Sequence, residues 1–208
     1  MKIIDINTWK RKEVFNFYKN FNIPRYQVTV EIDIKKYYDY LKLNQIPIYF
    51  GIMHLILSEM NQIDNFKFRI KDDDVILHDT LHPSFTDRIG DGDTFKIVTG
   101  TYTKDLKTFC DLAKQASLEQ GDKFIDYRDE LRSDLVYVSS FPWAKYTQVS
   151  NATMTDASDA VPRILWGKFE KKDDQMLMPL TIEVHHALVD GYHVGLLIQN
   201  IEKTISKI

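Results

Sequence analysis

The residue types best suited to chemistry lie close together near the C-terminal end. Residues 181–195 read TIEVHHALVDGYHVG, with adjacent histidines at 185 and 186, then Asp190 and His193. An imidazole takes up and releases a proton near neutral pH, and a nearby carboxylate orients it. The β-branched residues before the histidines predict a strand, and the spacing after them predicts a helix. These polar residues therefore lie where a strand ends, a common place for functional groups.

Three interpretations of this segment are open from the residues alone. In the first, His185 and His186 alternate across the strand, one in the core and one in solvent. In the second, His185, His186, Asp190 and His193 bind zinc or iron. Adjacent strand residues point to opposite faces, however, so the two neighbouring histidines do not easily share one ion. In the third, one histidine is a general base and Asp190 forms an organising salt bridge.

The elements that must position these residues alternate between helix and strand patterns. The periodicity predicts a strand at 27–34, a hairpin around 71–74 and further strands at 93–102, 135–139, 163–169 and 176–185. It predicts helices at 11–20, 34–43, 46–62 and 104–121, and another after His186. Helices mixed with at least three successive late strands predict an α+β fold with a mixed, largely antiparallel sheet.

Composition excludes several classes of protein. The 208 residues carry a formal net charge of −3, so no basic face for nucleic acid is expected. The longest apolar run, 46–57, is too short to span a bilayer, and no membrane association is expected. A lone cysteine, Cys110, fits a reducing compartment and is expected to be buried. Without repeats or long linkers, residues 1–208 are expected to form one domain of a cytoplasmic protein.

Five segments together resemble one known family. Residues 185–194 resemble the HHxxxDGxH signature of chloramphenicol acetyltransferases. Residues 9–18 resemble the family's N-terminal helix, 70–86 its central hairpin and 139–143 its serine–proline–tryptophan segment, and 162–193 run alongside it without a gap. The short motif also occurs in dehydrogenase-complex acyltransferase cores and in peptide-synthetase condensation domains. Condensation domains are about twice as long, and the dehydrogenase cores follow lipoyl domains, so the length favours chloramphenicol acetyltransferases.

The resemblance implies a two-layer α/β sandwich, assembled as a homotrimer with active sites between subunits. It implies transfer of an acetyl group from acetyl-CoA to a hydroxylated small molecule, with no metal. Chloramphenicol, and hence antibiotic resistance, is one possibility. By position, His186 is the general base that deprotonates the acceptor hydroxyl. Ser139 donates a hydrogen bond to the oxyanion, although the neighbouring Ser140 is an alternative.

Orienting and pocket residues also follow from the resemblance. Asp190 and Arg11 form a structural salt bridge, and Tyr18 positions the imidazole. Arginine is preferred here to the lysines on either side of it, because a guanidinium holds a carboxylate through two parallel bonds. His193 is expected to pack rather than react. The substrate pocket is expected to include Phe17, Arg25 and Tyr26.

Three positions depart from the family pattern. Pro24 and Arg25 replace a small pair, and Leu165 replaces a threonine that orders solvent near the coenzyme. Arg25 either meets an anionic group of the acceptor or faces solvent. These changes leave two alternatives to chloramphenicol acetylation. One is the same chemistry on a different hydroxylated molecule, and the other is a non-catalytic protein that binds coenzyme A or another ligand on this scaffold.

Overall fold

Two β-sheets form the framework of the computed structural model, which describes residues 1–72, 74–152 and 156–208. The strands of the larger sheet, in spatial order, are β2 (Arg25–Asp33), β10 (Gln175–His185), β8 (Arg163–Gly167), β7 (Leu135–Phe141), β5 (His82–Arg88) and β6 (Phe95–Thr99). A short strand, β9 (Glu170–Lys172), also pairs with β10. The smaller sheet contains β1 (Lys2–Ile4), β4 (Asp74–Leu77) and β3 (Phe68–Lys71).

The larger sheet is mixed. Strand β7 runs parallel to β5 and to β8, whereas β10 is antiparallel to β2, β8 and β9, and β5 is antiparallel to β6. The predicted α+β class with a mixed, largely antiparallel sheet is therefore confirmed.

The helices are α1 (Lys12–Tyr18), α2 (Lys35–Leu43), α3 (Ile48–Met60), α4 (Asp64–Lys67), α5 (Leu106–Gln120), α6 (Tyr127–Glu130) and α7 (Gly191–Ser206). Helix α3 is apolar on nearly all sides because α2, α5 and α7 pack around it. Gly51 lets α2 approach closely, since a Cβ there would lie 2.6 Å from the Leu41 side chain. None of the helices in the described ranges is long and apolar enough to cross a membrane.

Strand β10 carries the candidate site at its end. Nine of its residues pair with β2, from Leu177 opposite Asp33 to His185 opposite Arg25. The backbone N–H of His186 extends this ladder by donating to the carbonyl of Pro24 at 2.8 Å. The position of His186 is therefore fixed by the register of the two longest strands.

Most of the predicted elements are present, with ends shifted by a few residues. Cys110 is buried in α5 as predicted, and burial raises the pKa of its thiol to about 11. The predictions did not include β1 or β5, and β6 is shorter than the strand predicted at 93–102. Within the hairpin turn predicted around 71–74, residue 73 lies outside the described residues, whereas residue 74 lies inside them.

Candidate active site

The imidazole of His186 rests on aromatic rings. Tyr18, the last residue of α1, stacks on it with ring centroids 4.1 Å apart and ring planes 10° apart. The ring of Tyr26 on β2 contacts it at 4.7 Å and a 45° tilt. The Nδ1 atom of His186 and the hydroxyl of Tyr26 are buried without a hydrogen-bond partner in the described part of the chain. Burial also raises the pKa of Tyr26 to about 12, so this hydroxyl stays protonated.

Arg11 holds the backbone of the histidine loop. Its Nε donates to the carbonyl of Ala187 at 2.8 Å, and its Nη2 donates to the carbonyl of His186 at 3.0 Å. Its Nη1 donates to Oδ2 of Asp190 at 2.6 Å. The structure thus brings the expected Arg11–Asp190 pair together, and the same guanidinium anchors the residue that carries the imidazole.

Asp190 also starts helix α7. Its Oδ1 accepts a hydrogen bond from the backbone N–H of Tyr192, and its own backbone N–H donates to Nδ1 of His193 at 3.2 Å. Burial acts to raise the pKa of Asp190, but the Arg11 hydrogen bond and the neighbouring positive charges outweigh it and lower that pKa. Burial lowers the pKa of His193, which suits an acceptor nitrogen. His193 is therefore part of the cap of helix α7.

Ser139 lies in a different part of the molecule, on the wall of a cavity of about 970 Å³. Thr86, Ser140, Trp143 and Leu165 also line this cavity. The hydroxyl of Ser139 is 3.0 Å from the hydroxyl of Thr86 on the neighbouring strand β5.

Strand register separates Ser139 from His186 within one chain. Ser139 pairs with Leu165 on β8, and Leu165 pairs with Thr181 on β10, five residues before His186. Two strand spacings sideways and five residues along the strand place the two backbones roughly 19 Å apart. A single chain therefore does not bring the expected base and the expected oxyanion donor together.

Arg25 is neither a free cation nor exposed to solvent. Its side chain is only 4% exposed, and its Nε donates to Oε1 of Glu183 at 2.7 Å. Its other nitrogens donate to the carbonyls of Asp159 and Val161 at 2.6 and 2.8 Å. Of the two alternatives for Arg25, exposure to solvent is therefore wrong, because the guanidinium anchors the segment before β8 to the sheet.

This buried ion network was not found by sequence reasoning. Glu183 also accepts from Arg163 and Asn151, and Arg163 pairs with Asp159. Arg25 still lines a second cavity of about 330 Å³, together with Tyr26. The acidic partners of Arg25 lie more than 130 positions away in the chain, so only the fold brings them together.

Two candidate residues, Phe17 and His185, remain to be placed in the structure. Phe17 is exposed on α1, and its ring contacts those of Tyr18 and Phe21, which extend the aromatic surface beside His186. His185 is buried on the opposite face of β10, and its Nε2 donates to the carbonyl of Ala157 at 2.9 Å. Within residues 1–72, 74–152 and 156–208, no group of three His, Cys, Asp or Glu residues is arranged to hold a metal ion.

Comparison with solved structures first defines the class of fold. A dihydrolipoamide acetyltransferase of Azotobacter vinelandii superposes with a TM-score of 0.71 at 10% identity, covering 99% of this chain and 92% of that one. At this identity the likeness concerns the fold alone, which is one that an acetyltransferase also adopts. A solved chloramphenicol acetyltransferase superposes more closely, with a TM-score of 0.89 and 26% identity over 98% of this chain and 99% of that one.

Sequence comparison then defines the family. The family model described as chloramphenicol acetyltransferase matches residues 1–202. The chloramphenicol acetyltransferase of Staphylococcus aureus is 29% identical over 202 residues, which cover 96% of this chain and 93% of that protein. The chain belongs to the chloramphenicol acetyltransferase family, and the resemblance seen in its motifs is confirmed.

Proposed function

We propose that the protein is an acetyl-CoA-dependent O-acetyltransferase that acts on chloramphenicol and so confers resistance to it. Family membership and the named relatives support this activity. The observation that carries the proposal is the setting of His186, whose ring stacks on Tyr18 while Arg11 binds its carbonyl. Such support keeps an imidazole in one orientation, as a general base requires.

The proposed reaction uses two side chains of the protein. His186 takes the proton of the acceptor hydroxyl as its oxygen attacks the thioester carbonyl. The carbonyl oxygen becomes an oxyanion, which the Ser139 hydroxyl stabilises by donating a hydrogen bond. The C–S bond then breaks, and the thiolate of coenzyme A receives the proton held by His186. The products are the acetyl ester and free coenzyme A.

We also propose a homotrimer with active sites between subunits. The separation of roughly 19 Å between Ser139 and His186 supports a site that two chains complete together. Strand β2 supports it as well, because it ends the larger sheet and has one edge without a strand partner in the described residues. In this arrangement one subunit supplies His186 and its neighbour supplies Ser139, Ser140 and the cavity.

The chain is proposed to fold as one domain and to act in the cytoplasm. A single hydrophobic cluster runs from Phe15 in α1 to Ile205 in α7, which supports one domain over residues 1–208. The lone buried Cys110 suits a reducing compartment, where acetyl-CoA is also found.

The activity is tested by following thiol release from acetyl-CoA in the presence of chloramphenicol. We expect wild-type protein and the matched control His78→Gln to release thiol in proportion to the drug. His78 is not part of the motif, and its Nε2 lies 3.0 Å from the hydroxyl of Ser133. We expect His186→Gln to lose about 10²–10⁴-fold in rate, the usual contribution of a general base. A His186→Gln variant within tenfold of wild type would refute the general-base role.

Wild-type protein that releases no thiol would refute chloramphenicol as the acceptor, and calorimetry with acetyl-CoA together with a screen of hydroxyl compounds then separates the two alternatives. Binding of acetyl-CoA with thiol release in the presence of one of these compounds would indicate another hydroxylated acceptor. Binding without thiol release, or absence of binding, would favour the non-catalytic alternative.

A mixed assembly tests the shared site. Subunits carrying His186→Gln and subunits carrying Ser139→Ala are unfolded together, mixed one to one and refolded. We expect recovery to about a quarter of wild-type activity, because half of the subunits supply each intact group. Each variant refolded alone is the control. Recovery no greater than that of the separate variants would contradict a site between subunits, and light scattering independently reports whether three chains assemble.

A further inference from the structure

Within the described residues, the hydroxyl of Ser139 has one hydrogen-bond partner. On one side, β8 places Leu165 opposite it, and a leucine side chain has no hydrogen-bonding atom. On the other side, β5 pairs Phe85 with Val138, which brings the next residue, Thr86, level with Ser139. Among the residues that the structure describes, Thr86 is the one hydrogen-bond partner of the Ser139 hydroxyl, at 3.0 Å between the oxygens.

A serine hydroxyl has one hydrogen and two lone pairs, so this contact has two possible directions. If Ser139 donates to Thr86, the serine hydrogen is turned away from the cavity and cannot reach an oxyanion. If Thr86 donates to Ser139, the serine hydrogen is free to point into the cavity. Only the second direction lets Ser139 act as an oxyanion donor.

Thr86 is held in place from two sides. It lies in the middle strand of a β7–β5–β6 arrangement, paired with Ile97 on β6, and threonine has restricted χ1 rotation. Its carbonyl accepts a hydrogen bond from the hydroxyl of Tyr49 at 2.9 Å. Tyr49 comes from helix α3 and packs against Trp166 with ring centroids 5.2 Å apart. The backbone that carries the threonine side chain is therefore held both by the sheet and by helix α3.

We propose that Thr86 is a positioning residue that acts through Ser139. When negative charge develops on the substrate oxygen, Thr86 donates to Ser139 and Ser139 donates to the oxyanion. Hydrogen bonds linked in this way polarise and strengthen one another. The inference rests on the proposed acetyl transfer. It concerns the transition state, so removal of the threonine hydroxyl lowers kcat and leaves substrate binding in place.

The first test compares Thr86→Val, which has nearly the same shape without the hydroxyl, with Thr86→Ser, which keeps the hydroxyl. We expect Thr86→Val to lower kcat about tenfold, the effect of one neutral hydrogen bond, with KM for both substrates unchanged. Thr86→Ser is expected to restore kcat to within about threefold of wild type. Thermal melting of each variant confirms equal folding. A Thr86→Val variant with wild-type kcat would overturn the inference.

The second test is a double-mutant cycle that a merely structural role would not satisfy. In a Ser139→Ala background, Thr86→Val is expected to cause no further loss of kcat, because its effect passes through the missing hydroxyl. A further tenfold loss in that background would show that Thr86 acts independently of Ser139 and would overturn the inference. These experiments distinguish a failure of the proposed function from a failure of this inference alone. An inactive wild-type protein rejects the proposed function and the inference with it, whereas an active protein indifferent to Thr86→Val rejects the inference alone.

Discussion

The surroundings of His186 and those of Ser139 are built in opposite ways. His186 contacts two aromatic rings and has its backbone bonded to Arg11 and to Pro24. Ser139 lines a wide cavity, and in the part of the chain that the structure describes its hydroxyl has one hydrogen-bond partner. An imidazole must keep a fixed ring orientation to accept a proton, whereas a hydroxyl needs only its single rotation fixed. We therefore expect substitutions at many positions around His186 to lower activity, but substitutions at only a few positions around Ser139 to do so.

Apart from replacement of His186 itself, removal of the Ser139 hydroxyl is expected to have the largest effect. Ser139→Ala should lower kcat about 10²–10³-fold, as loss of one oxyanion donor does, with little change in KM. Ser140→Ala is the matched control, because Ser140 also lines this cavity and is the alternative donor. Steady-state kinetics decide between them. A larger loss in Ser140→Ala than in Ser139→Ala would reassign the donor.

Replacement of Arg11 by lysine tests how much the residues around His186 contribute to stability and activity. Arg11→Lys keeps the charge but cannot make all three hydrogen bonds to Ala187, Asp190 and His186. We expect a loss of about 2 kcal/mol in the free energy of unfolding, in the range for hydrogen bonds to charged groups, together with lower kcat. Urea denaturation measures the stability. The exposed neighbour Lys10 provides the control, since Lys10→Ala should stay within about 0.5 kcal/mol of wild type.

Substitution of Tyr18 should have a smaller effect on turnover. Tyr18→Leu removes the ring that stacks on His186, and a stacked pair contributes about 1 kcal/mol beyond its buried area. That corresponds to a decrease of about fivefold in kcat. Tyr18→Phe keeps the ring and should resemble wild type. If the phenylalanine variant were as impaired as the leucine variant, the hydroxyl and not the stacking would be responsible.

The smallest expected effect concerns the pH dependence of stability. The folded-state pKa of Asp190 is lowered, so its contribution to stability is present above the unfolded value of about 3.9 and is lost as the pH falls through the folded value. Asp190→Asn should therefore flatten the decrease in stability on acidification below about pH 4. Urea midpoints at several pH values provide the measurement. Parallel curves for the two proteins would contradict this role of the carboxylate.

The sequence was sufficient for local structure and for the motif. Periodicity located the main helices and the long strand β10, because their apolar faces are continuous. Strand β5 was missed since its residues, HPSFTDR, show no clear alternation of apolar and polar types. The burial of Arg25 depends on Glu183, 158 positions away, and the separation of Ser139 from His186 depends on strand order. Neither long-range relation leaves a local signal in the chain.

The pairing of β2 with β10 fixes the face of the sheet toward which each of the two adjacent histidines points. His185 points toward the ion network of Arg25 and Glu183, and His186 points toward the ring of Tyr18. Side chains alternate between the two faces of a strand, so deletion of one residue from β10 would exchange the surroundings of these two histidines. Two chemically identical neighbours thus occupy surroundings that cannot be interchanged, and the number of residues along β10 determines which of them stacks on Tyr18.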